Sequence, residues 1–150
     1  MKRTTARELA VRLVYRLEYT GESAQELLED GLSTEHFASL VEEDELYGEP
    51  INKKQAAYIT AVVTGVAESR DALDADIRKY SATWKTERMS KILLAILRVA
   101  LFEIEHVEDA PENAAINAAV DLAKAYLDEE GASFVNGVLG AYSRARQGKK

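Results

Sequence analysis

ERMSKILLAILRVALFEIEH, residues 87–106, decides the fold. Ile92, Leu93, Leu94, Ile96, Leu97, Val99, Leu101, Phe102 and Ile104 point in every direction around a helix, and Arg98 is the one charge between Lys91 and Glu103. A helix without a polar face needs cover on all sides, so it belongs at the centre of a helical bundle. The predicted helix runs from about Glu87 to His106.

The same period extends outward on both sides. Pro111 stands near the start of the next predicted helix, where a missing N–H costs nothing. That helix reaches about Leu127 and is rich in alanine (Ala114, Ala115, Ala118, Ala119, Ala123, Ala125), which lets neighbouring helices approach closely. A last helix is expected from near Ser133, with Phe134, Val135, Val138, Leu139 and Tyr142. Upstream, Asn52 is a good N-cap for a long helix with Ile59, Val62, Val63, Val66, Leu73 and Ile77 as its stripe. The segment from Tyr80 to Thr86, with Trp84 in it, breaks the pattern. Phe37, Leu40 and Val41 mark one short helix. Ser23 and Glu26 open another that Gly31 stops. Thr5 and Glu8, at capping-box spacing, open a first helix that ends at Gly21. No strand-like alternation persists, so the fold class is all-α: one domain, residues 1–150, of about seven helices.

Composition narrows the function classes. At 150 residues the chain can bury a core without staples, and with no cysteine it has neither disulfides nor thiolate zinc sites. No apolar run is long enough to span a bilayer, and the charged N-terminus is unlike a signal peptide; a cytoplasmic protein is expected. The net charge of −7 is unevenly spread. Residues 21–50 hold ten acidic and no basic side chains; the remainder holds 16 acidic and 19 basic, and the first twenty residues hold five basic and two acidic. Such segregation lets a polyanion approach one end.

Chemistry is harder to find. His36 and His106 lie far apart, and Glu103, Glu105 and His106 read more simply as a helix C-terminus matched to its dipole than as metal ligands. There is no phosphate-binding glycine motif. Gly137 and Gly140 read as helix-contact glycines, and Asn117 and Asn136 as buried amides or ligand contacts. Catalysis, a metal and a cofactor are not expected.

The string ILRVALFEI (96–104), Ala110-Pro111, AAINAAVDLAKAY (114–126) and FVNGVLG (134–140), with TARELAVRLVY (5–15) before it, resembles the NusB family over essentially the whole chain. The resemblance implies two packed helical subdomains. It also implies an antitermination factor that binds single-stranded boxA RNA of ribosomal RNA leader transcripts. The partners it implies are the ribosomal protein NusE and the RNA polymerase elongation complex, with no cofactor. Matched position by position, it assigns RNA contacts to Lys2, Arg3, Arg7, Tyr80 and Phe134, and partner contacts to Tyr15 and Glu130. Thr4 and Thr5 stand where relatives often carry arginine. Leu93 replaces an acidic residue found in many relatives. Family members occur as monomers and dimers, so a homodimer is compatible with the resemblance. The alternatives are a NusB-like module with another RNA target and a helical bundle that binds protein alone.

Overall fold

The computed structural model describes residues 1–32, 51–81, 89–107 and 111–148. Six helices occur among them and no strand: α1 (Arg3–Thr20), α2 (Ala24–Gly31), α3 (Lys53–Tyr80), α4 (Lys91–His106), α5 (Glu112–Tyr126) and α6 (Glu129–Gly148). The short helix expected at Phe37, Leu40 and Val41 lies outside the described residues, as do His36 and Trp84. The chain forms two compact units, Met1–Glu68 and Ser69–Lys150, and the division falls inside α3.

In the first unit, α1 packs on α2. Leu9, Leu13, Leu27 and Ile59 are almost wholly removed from solvent, and each such side chain contributes about 2 kcal/mol. Gly21, at φ 69°, closes α1 in the left-handed conformation that glycine adopts freely. The capping signal at Thr5 does not set the start of α1. The helix begins at Arg3, with Lys2 extended before it, because Thr5 is itself buried. Ser23 does cap α2, its Oγ accepting from the Glu26 N–H at 3.1 Å. Gly31 is the last residue of α2 rather than its terminator, and its role is packing: a Cβ there would lie 2.5 Å from Leu13 Cδ2. Asn52 caps α3 through a 2.9 Å bond from the Gln55 N–H.

In the second unit, α4 packs on both α5 and α6, and α5 on α6. Every residue of α4 from Leu93 to Ile104 is buried, Arg98 and Glu103 included. Its start is later than predicted, at Lys91, because Ser90 Oγ accepts from the Leu93 N–H at 3.2 Å. Ala115, Ala119 and Ala123 form the buried stripe of α5, which starts directly after Pro111. The last helix starts earlier than predicted, at Glu129. Asp128 Oδ1 accepts from the Gly131 N–H at 2.7 Å, and Asp128 O from the Ala132 N–H at 3.0 Å. Polar bonds then fix its far end. Tyr142 Oη donates to Glu105 Oε1 at 2.6 Å, Ser143 Oγ donates to Glu112 Oε2 at 2.6 Å, and the Arg146 guanidinium donates to the Ile104 carbonyl. Burial, reinforced by the bond to Glu105, raises the Tyr142 phenol well above its ordinary pKa.

Candidate nucleic-acid interface

Lys2, Arg3 and Arg7 occupy the start of α1. Lys2 is exposed, while Arg3 and Arg7 are half-buried. Arg3 is held in place from α3: its Nε donates to Gln55 Oε1 at 2.8 Å, and its guanidinium lies 4.1 Å from the centre of the Tyr58 ring. Farther along α1 the arginines meet acids. Arg12 pairs with Glu8 at 3.5 Å, and Arg16 with Asp30 at 3.1 Å and Glu22 at 3.8 Å. Tyr15 sits edge-on to Tyr19 at 4.9 Å, and Tyr19 is 57% exposed.

In the second unit, Tyr80 is the last residue of α3. Its ring meets Tyr142 edge to face at 5.8 Å, with Lys79 Nζ 5.3 Å from its centre. Phe134 lies eight residues before Tyr142 on α6, about 12 Å along the axis, so the two assigned aromatics do not share one contact. Phe134 is not at the helix start but in its second turn. It is half-buried and lines an open pocket of about 350 Å³ with Ser90, Leu93, Leu127, Asp128, Glu130 and Gly131. Glu130 belongs to the first turn of α6 rather than to a loop. The structure thus brings together three positions that the sequence singled out separately: Leu93, Glu130 and Phe134. An apolar floor with carboxylates at its edge suits a flat ring bearing N–H donors, or a basic side chain. It does not suit a phosphate.

Asn117 and Asn136 are both exposed, not buried amides. Gly137 is exposed with open space where a Cβ would stand, and Gly140 would meet only the tip of Arg144, so neither is a helix-contact glycine. Gln55, Tyr58 and Tyr142 were not legible as parts of the site. Their partners lie 52, 55 and 62 residues away in sequence, beyond any local pattern. Among the described residues no group of three or more His, Asp or Glu side chains is placed to hold a metal. No helix among them is long and apolar enough to cross a membrane.

The NusB family model matches residues 4–144. The chain belongs to the NusB family. Among NusB relatives, the transcription antitermination protein NusB of Acetivibrio thermocellus is 41% identical over 140 residues, covering 93% of this chain and 87% of that protein. The NusB of Bacillus cereus is 39% identical, covering 93% and 95%. Two solved structures share the NusB fold. One is a crystal structure of antitermination factors NusB and NusE in complex with dsRNA (TM-score 0.74, 28% identity, 95% of this chain and 96% of that one). The other is NusB of T. maritima (TM-score 0.78, 26% identity, 96% and 92%).

Proposed function

We propose that this chain is a cytoplasmic antitermination factor that binds single-stranded boxA RNA of ribosomal RNA leader transcripts together with NusE. Bound this way, it assists the RNA polymerase elongation complex without catalysis or a cofactor. The observation that carries the reading is the half-buried position of Phe134. This residue of the FVNG motif lines a pocket rather than being sealed in the core. Single-stranded RNA is held by cations on its phosphates and by aromatic faces under its bases. Lys2, Arg3 and Arg7 supply the first ingredient, and Tyr80 and Phe134 the second. Tyr15 and Glu130 are the proposed NusE contacts.

The reading is tested by titrating labelled boxA RNA and an unrelated single-stranded RNA, with and without NusE. Preference for boxA, with tighter binding in the presence of NusE, supports it. Because coupling is reciprocal, RNA must then tighten NusE binding by the same factor. Equal affinity for both RNAs would mean a different RNA target. Binding of NusE with no binding of either RNA would mean a protein-interaction bundle.

A further inference from the structure

We infer that Lys79 is a phosphate contact paired with the stacking surface of Tyr80, and that Tyr142 is the positioning residue that holds the Tyr80 ring for a base. The inference rests on the RNA-binding reading above and adds to it two residues to which the family resemblance assigns no role.

Tyr80 ends α3 with its side chain half-buried. The edge-to-face contact at 5.8 Å supports its ring from Tyr142 of α6. Tyr142 is itself tied to Glu105 of α4 by a 2.6 Å bond, so the support runs from the central helix of the second unit out to Tyr80. An aromatic ring held in this way loses little freedom when a base stacks on it. Lys79 is exposed, and its Nζ lies 5.3 Å from the centre of the Tyr80 ring. Among the described residues its ammonium meets this ring and no carboxylate. Arg12, Arg16, Arg98 and Arg146, in contrast, each face one. A ring face attracts a cation without cancelling its charge. The flexible four-carbon stem of lysine lets the ammonium leave the ring. A base that takes its place there brings a phosphate with it, and the displaced ammonium is at hand to neutralise that phosphate. Arg78 is also exposed, but at about 100° per residue it stands about 200° around the helix from Tyr80, on the other flank.

The test is the salt dependence of binding by the full-length chain, measured with the same two single-stranded RNAs. Lys79→Ala should weaken both RNAs alike and lower the salt slope by about 0.7, the share of one single-strand phosphate contact. Lys79→Arg should keep the slope. Arg78→Ala, which removes the same charge from the other flank, should keep it too. Tyr142→Leu should weaken binding with the slope unchanged, and should weaken it no further in a Tyr80→Leu background, an outcome that a purely structural role would not produce. Tyr142→Phe, which keeps the ring and loses only the bond to Glu105, should lose less affinity than Tyr142→Leu. An unchanged slope for Lys79→Ala, or an equal fall for Arg78→Ala, overturns the assignment of Lys79. No loss for Tyr142→Leu, or equal losses with and without Tyr80, overturns that of Tyr142. In each of these cases binding by the unaltered protein leaves the RNA-binding reading standing. Failure of the unaltered protein to bind either RNA overturns both.

Discussion

Arg98 and Asp74 meet in a two-point ion pair: Arg98 Nε donates to Asp74 Oδ1 at 2.8 Å and Nη2 to Oδ2 at 3.0 Å. The pair joins the central helix α4 to the later part of α3, and its two members are not equally covered. The Arg98 side chain is 4% exposed and that of Asp74 is 16% exposed.

That inequality predicts an asymmetric response. Asp74→Ala removes this carboxylate from beside a buried guanidinium and should cost about 3–5 kcal/mol. Arg98→Met leaves a carboxylate that water can still reach, and its long apolar chain refills the space, so the loss should be about 1–3 kcal/mol. Urea unfolding of the two variants measures both. Equal losses, or a larger one for Arg98→Met, would show that the pair is hydrated from the arginine side.

Gly31 and Leu13 predict a coupled pair. Leu13 is fully buried, so its methyl groups cannot swing away from a new Cβ. Gly31→Ala should cost about 1–3 kcal/mol by overpacking. In a Leu13→Ala background the same change should cost much less. A double-mutant cycle on unfolding free energies reads the difference, and strict additivity would mean that the backbone of α2 shifts instead.

Phe134→Ala separates binding from packing. Stacking on a base predicts a loss of about 1–3 kcal/mol in RNA affinity. Because the ring is only half-buried, its loss should cost less stability than the 3–5 kcal/mol typical of a core phenylalanine, about 1–2 kcal/mol. RNA titration and denaturant unfolding on one purified variant give both numbers. Normal RNA affinity in the folded variant removes Phe134 from the interface.

Tyr142 predicts a pH effect at the alkaline end. Burial and the bond to Glu105 raise its pKa in the folded chain, whereas the unfolded chain has the ordinary value of about 10. The folded state therefore holds this proton more tightly. The stabilisation is complete below about pH 10 and is lost progressively as pH rises above it. Tyr142→Phe has no such proton, so its stability should fall less steeply than that of the unaltered protein between pH 9 and pH 11. Parallel curves would show that the phenol is effectively solvated in the folded state.

Much of the fold was legible because it is written in local chemistry. The stripe of α3, the unbroken apolar surface of α4 and the caps at Ser23 and Asn52 each depend on residues within a few positions of one another. The errors came where tertiary packing outvoted a local signal. Thr5 looks like a cap but is spent in the core. Ser133 looks like a helix start, yet Asp128 five residues earlier captures the free N–H groups. Gly31 reads as a helix stop and Gly137 as a helix-contact glycine, yet Gly31 is the one pressed against Leu13 and Gly137 is open to solvent. The candidate site was half legible for the same reason. The basic start of α1 can be read directly, but its anchorage on Gln55 and Tyr58 spans more than fifty residues.

Two of the helices that pack on α4 follow it in the chain: α5 and α6, the latter secured through Tyr142, Ser143 and Arg146 at its far end. During synthesis, at about 5–20 residues per second, the stretch from 107 to 148 takes roughly 2–8 s to make. For that interval the most apolar of the described helices has been made while α5 and α6 have not. The nascent chain is therefore most exposed to chaperones, and to association with its neighbours, just before translation reaches the residues that close the second unit.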